Sequence, residues 1–237
     1  METEHFTVDD MPALLCGKPS ESVWLCVHGR GGNKEEAADF AETACPLGAQ
    51  VLAIDLPEHG ERRDEHGFFP WKCVPELQTV MSFAREQWEH VSLRAVSIGA
   101  WFSLLAFQGA PPERSLFVSP VLDMEHLILD MMLMAGVDRD RLEREGEIRT
   151  GLGETLSFEY LQYAAGHQIN SWSSPSAILY GARDTLTSRE TVTSFAERFG
   201  CSLSVMEDGE HWFHTPEQVR FMRDWETRCI KGWLGRD

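Results

Sequence analysis

Positive charge is scarce in this chain: 21 lysines and arginines stand against 38 aspartates and glutamates, a formal net charge of −17 over 237 residues. A field of that sign repels phosphate backbones and anionic bilayers, so nucleic acid and membrane surfaces are not expected partners. No run of eighteen apolar residues occurs, and no transmembrane helix is expected. The N-terminal stretch Met1 to Asp10 lacks the basic start and apolar segment of a signal peptide, which makes the cytoplasm the expected location. The cysteines (Cys16, Cys26, Cys45, Cys73, Cys201, Cys229) show no Cys-x-x-Cys spacing. They read as reduced core thiols, without a disulfide framework or a cysteine-based metal site, and no metal or organic cofactor is expected.

What is present is an ordinary globular composition, 43% hydrophobic and 25% charged. The length suits one large α/β domain spanning residues 1–237. Val23–Val27 and Val51–Ile54 are short apolar runs of the kind that form buried parallel strands. Between them Asn33 is placed to cap a helix, with Glu36 three residues on and Ala37, Phe40, Ala41 and Ala44 as its apolar stripe. A second helix is expected to open near Pro75 and carry Leu77, Val80, Met81, Ala84 and Trp88 inward. Val91–Val96 then reads as a strand, and Ile98–Phe107 as a helix apolar nearly all round, hence buried.

Ser115–Val118, Ala177–Tyr180 and Ser202–Met206 supply further strands. Thr187 with Glu190 forms a capping box for a helix that Gly200 stops, and Thr215-Pro216 with Gln218 starts the last helix. Alternation of strand and helix implies a mostly parallel sheet covered on both faces. The exception is Leu122–Trp172, too long for a single crossover, which reads as an inserted helical cap. It opens on the methionine-rich Met124–Met134, whose two readings are packing between cap and sheet and an adaptable acyl pocket. Asp138–Arg149, densely charged, reads as a solvated face.

Three residues at strand ends carry chemistry. Ser97, in Ala-Val-Ser-Ile-Gly, lies between a strand and a helix, where a sharp turn lifts its hydroxyl clear of the sheet. A serine hydroxyl needs a base to take its proton and a third group to orient that base. His211, after the final strand, is the expected base, with His214 the weaker candidate. Asp184 is the expected acid, and Asp123 competes with it, capping the insertion's first helix being its other role. The backbone N–H of Ile98, at a helix N-terminus, and that of Arg30, in His28-Gly29-Arg30-Gly31-Gly32, are the expected oxyanion donors. His28 itself reads as structural.

Taken together these residues resemble the α/β-hydrolase superfamily over about Val23–Trp233, most of all small bacterial serine hydrolases of esterase, lipase-like and serine-aminopeptidase type. Asp55-Leu56-Pro57-Glu58-His59-Gly60 is similar to the Asp-x-Pro-x-His-Gly segment of many members. Ala95 stands where the usual Gly-x-Ser-x-Gly has its first glycine. The resemblance implies the α/β-hydrolase fold and hydrolysis of a small or medium acyl ester through a serine ester intermediate, with a small-molecule acyl substrate as partner. Two other readings stay open here: the same triad acting on an amide, peptide or C–C bond, and a ligand-binding or interaction module that has lost catalysis.

Overall fold

The computed structural model describes residues 1–151 and 153–235; Leu152, inside the expected insertion, and Arg236 and Asp237 lie outside the described residues. The chain begins with an antiparallel hairpin, β1 (Thr3–Val8) and β2 (Met11–Cys16), turned at Asp9 with φ 55°. Next come β3 (Ser22–Val27), α1 (Ala37–Ala44), β4 (Gln50–Ile54), α2 (Pro70–Gln87), β5 (His90–Val96), α3 (Ile98–Phe107) and β6 (Ser115–Val118). The long connection contains α4 (Met124–Ala135), α5 (Arg139–Glu145), a small hairpin of β7 (Glu147–Arg149) and β8 (Thr155–Ser157), and α6 (Phe158–Gly166). The chain closes with β9 (Ser176–Gly181), α7 (Arg189–Phe199), β10 (Ser202–Met206) and α8 (Pro216–Leu234).

Eight strands form one sheet in the order β1-β2-β4-β3-β5-β6-β9-β10. β1 and β2 pair antiparallel, β2 meets β4 antiparallel, and every pair from β4 to β10 is parallel. Alternation along the buried strands divides the core into two faces. Val23, Leu25 and Val27 of β3 join α2, α3 and α7 on one side; Trp24 and Cys26 join α1 and α8 on the other. On that second face Arg94 of β5 is paired with Glu226 of α8 at 2.7 Å and lies over the Phe40 ring. Among the described residues, no helix is long and apolar enough to cross a membrane.

Two expectations need correction, and one feature goes beyond them. The N-terminal hairpin extends the sheet by two strands that the alternation pattern did not reveal, because β1 sits at an edge and is largely exposed. α2 starts at Pro70, in its first turn, and Pro75 lies inside the helix. A proline at the first position loses no intrahelical bond, which fixes the earlier start. α7 is capped by Ser188, whose hydroxyl accepts from the Thr191 N–H, and not by Thr187. The Thr187 hydroxyl donates instead to the buried Pro120 carbonyl.

Candidate active site

Ser97 occupies the one-residue joint between β5 and α3, at φ 52° and ψ −127°. L-residues with a Cβ avoid that region, so the joint stores strain that its surroundings must hold. Hydrogen bonds do so on both sides: Ser97 N–H donates to Val118, while the Ala100 and Val121 N–H groups donate to the Ser97 carbonyl. Gly99 permits the sharpness of the turn, since a Cβ there would stand 2.3 Å from the His28 carbonyl oxygen. Ala95 is fully buried in the sheet with its methyl accommodated.

The turn aims Ser97 Oγ at His211, 2.8 Å from Nε2. On the other side of the ring Nδ1 lies 2.7 Å from Asp184 Oδ2, and the Asp184 side chain is fully buried. Asp184 Oδ1 accepts from the Leu186 and Thr187 N–H groups at 2.8 and 3.1 Å. With the carboxylate accepting, Nδ1 carries the imidazole proton and Nε2 is left to accept from the serine. The loops bearing Asp184 and His211 touch through Gly181, where a Cβ would meet the Glu210 carbonyl oxygen at 2.6 Å.

The rival candidates lie elsewhere. Asp123 Oδ1 accepts from the His126 N–H and caps α4. His214 is exposed, stacked on Trp212, with Nδ1 on the Trp212 carbonyl. Trp101, Phe102 and Phe213 are core residues. Burial pushes the Cys26 thiol up to about 12 and those of Cys201 and Cys229 to about 11, which leaves none of them a thiolate at neutral pH. Among the described residues one group of side chains could gather round a metal: His5, Glu35 and Glu61. The Lys34 ammonium already bonds both carboxylates, at 3.0 and 2.6 Å, and takes the cation's place.

The glycine loop after β3 passes directly beside Ser97: a Cβ on Gly29 would come 2.9 Å from the Ser97 Cβ. Arg30 and Ile98 flank the serine, and among the described residues neither backbone N–H is taken by a turn or loop hydrogen bond. Two histidines hold the loop. His28 Nε2 accepts from the Leu56 N–H at 3.0 Å, with Nδ1 on the Gly29 carbonyl at 2.7 Å. His59 Nε2 accepts from the Gly31 N–H at 2.8 Å, with Nδ1 on the Pro57 carbonyl. Beneath them Asp55 accepts from the Lys34 N–H, the Lys34 ammonium and the Glu61 N–H. A Gly60 Cβ would come 2.2 Å from the Asp55 carboxylate, which explains the glycine that ends the Asp-x-Pro-x-His-Gly segment.

Burial lowers the His28 pKa from 6.5 to about 4. A neutral form favoured by folding brings stability that is complete above pH 6.5 and is lost as pH falls from there through about 4. The loss amounts to roughly 3 kcal/mol once both states are protonated. In His28→Gln, urea unfolding is therefore expected to show a stability deficit at pH 7 that shrinks as pH approaches 4. A deficit independent of pH would contradict a neutral, buried His28.

A cavity of about 180 Å³ opens beside Ser97, walled by Phe68, Val121, Leu156, Tyr160 and residues of α4. Met124, Leu127, Ile128 and Met131 line it, whereas Met132 is core and Met134 is exposed, so the methionine-rich stretch is divided between cavity wall, core packing and surface. Arg30 and Glu154 are the only charged side chains lining the cavity among the described residues, and they pair with each other at 3.1 Å. That pair joins the glycine loop to the β7–β8 hairpin. It was not legible in sequence, because 124 positions separate its members.

No family model matches this chain, and no curated protein matches it. Solved structures do. Est1E from Butyrivibrio proteoclasticus with ferulic acid bound is 17% identical, at a TM-score of 0.78 over 98% of this chain and 99% of that one. Alpha/beta hydrolase domain-containing protein 10 from mouse is 14% identical, at 0.75 over 98% and 100%. Pyrococcus furiosus esterase Pf2001 is 18% identical, at 0.67 over 99% and 89%. With its strand order, its strained serine joint and these full-length matches, the chain has the α/β-hydrolase fold.

Proposed function

We propose that this protein is a serine hydrolase that cleaves a carboxylic ester through a covalent acyl-enzyme. The observation that carries it is the continuous relay from Ser97 Oγ to His211 Nε2 at 2.8 Å and from His211 Nδ1 to Asp184 at 2.7 Å. In the first half-reaction His211 takes the hydroxyl proton as Ser97 Oγ attacks the ester carbonyl, and the imidazolium is steadied by Asp184. The Arg30 and Ile98 N–H groups donate to the oxyanion. Collapse expels the alcohol, which takes the proton from His211. Water, deprotonated by the same imidazole, then attacks the acyl-serine and releases the acid.

Residues 122–172 act as the cap over this site, contributing α4, β8 and Tyr160 to the pocket wall. Ester chemistry is favoured over amide or C–C cleavage by the structural relative named an esterase, Pf2001. Six free thiols support a cytoplasmic setting.

Intact-mass analysis after exposure to a fluorophosphonate tests the nucleophile. The expected result is one adduct on the wild type, none on Ser97→Ala, and labelling at least about a thousandfold slower on His211→Ala. A folded wild type that takes no adduct, or one that is labelled equally in both variants, would overturn this reading.

A further inference from the structure

We infer that the pocket beside Ser97 takes the alkyl chain of a medium- to long-chain acyl ester, laid along α4 from the serine outward to Met134. This rests on the serine-hydrolase reading and adds the substrate class. Met124, Leu127, Ile128 and Met131 all line the cavity, and their spacing of three, four and seven residues forms a single stripe along one helix face. Met134 lies three positions beyond Met131, one turn further along the same stripe, and is 65% exposed. Ten residues of helix make a path of about 15 Å. Met134 thus continues the cavity-lining stripe towards solvent, where a chain leaving the cavity along α4 would lie over it.

The mainly apolar walls favour an alkyl acyl group. The two charged lining residues, Arg30 and Glu154, satisfy each other, so no free charge meets an ionic acyl group. Only Phe68 and Tyr160 are aromatic among the described lining residues, and their rings are engaged already. Tyr160 stacks on Trp101 at 6.0 Å and meets Trp71 edge-on at 5.9 Å. Phe68 packs on His59 and Phe102, at 4.4 and 5.4 Å. An aryl acyl group would find no open ring to stack on, whereas thioether and leucine side chains adapt to a flexible chain.

The test is a series of p-nitrophenyl esters, acetate, butyrate, octanoate and laurate, with benzoate as the aryl comparison. The leaving group is constant, so kcat/KM reports the acyl site. Each methylene that becomes buried is worth about fourfold, and an overall rise of at least about tenfold from butyrate to octanoate is expected. The laurate-to-acetate ratio of kcat/KM is expected to fall at least about tenfold in Met131→Trp, which blocks the path, and in Met134→Asp, which places a charge at its exposed end. Because Met134 is exposed, the second variant folds even if the first does not. A maximum at acetate or butyrate, a preference for benzoate over octanoate, or an unchanged ratio in folded Met134→Asp would overturn the alkyl-chain assignment while leaving the hydrolase reading intact. Turnover of none of the esters, with Ser97 unlabelled by fluorophosphonate, would overturn both.

Discussion

Ser97→Ala is expected to lower the turnover of an activated ester by about 10⁶-fold and Asp184→Asn by about 10⁴-fold, both in folded protein. The two losses differ in kind. In the proposed mechanism, removing Oγ removes the nucleophile, so only the oxyanion donors and substrate binding are left to accelerate attack by water. The asparagine substitution keeps the shape of the side chain yet offers an amide where Nδ1–H needs an acceptor with charge. The ring could then adopt the tautomer with the proton on Nε2, facing the serine it should deprotonate. Asp123→Asn is the matched control: its carboxylate caps α4 on the His126 N–H, and asparagine caps about equally well, so activity is expected to stay within about twofold. Equal losses at positions 123 and 184 would refute the assignment of the acid. Ser97→Gly offers a second readout, because relief of the φ 52° conformation should offset glycine's entropy cost and raise stability by about 1 kcal/mol as activity vanishes. A serine held there without functional purpose would have no reason to carry that strain.

Ser97, His211 and Asp184, which the structure brings within hydrogen-bond distance, could be singled out in sequence because each follows an apolar strand within one or a few positions, and strand ends are where this class of sheet gathers its polar groups. α3 was legible over its full length for a related reason: ten residues apolar on every side can only be a buried segment. Local competition between equivalent signals obscured other boundaries. Thr187 and Ser188 are both hydroxyl residues with a suitable partner three positions on, and the choice between them depends on the distant Pro120 carbonyl. Likewise Pro70 and Pro75 are equally good openings for a helix until the path of the preceding loop is known. Of the β7–β8 hairpin, β7 closes the charged run and β8 lies beyond it, and strands of three residues carry almost no periodicity. What sequence could not convey at all is the scaffolding of the glycine loop. His59 reaches Gly31 across 28 positions and Lys34 reaches Asp55 across 21, and nothing in either local pattern names the partner.

That scaffold carries the largest expected stability effect. Lys34 is 1% exposed and Asp55 is fully buried, with Nζ and Oδ2 at 2.7 Å. Burial alone would push the Lys34 pKa down, but hydrogen bonds to the Asp55, Glu61 and Glu35 carboxylates more than reverse this and hold it above its ordinary value. Burial likewise works to raise the Asp55 pKa, and its bonds from the Lys34 ammonium and from the Glu61 and Lys34 N–H groups hold it below the ordinary range. Lys34→Met leaves a carboxylate buried without its cation, and unfolding in urea is expected to show a loss of about 3–5 kcal/mol. Adding Asp55→Asn to that variant removes the stranded charge while keeping an oxygen for one of the two backbone N–H groups, so part of the loss should return. The depressed Asp55 pKa sets the sign of the pH dependence. In the wild type its contribution is present above the ordinary carboxylate range and is lost as pH falls from that range through the depressed folded value. In Lys34→Met the opposite slope is expected, because an unpaired buried carboxyl is stabilised by protonation. The loop from Gly29 to Asn33 runs between this pair and Ser97, so Lys34→Met should also lower kcat through the Arg30 N–H, and the double variant should recover stability more completely than turnover. Full recovery of both would mean that the Lys34–Asp55 pair holds the fold together without positioning the proposed oxyanion donor.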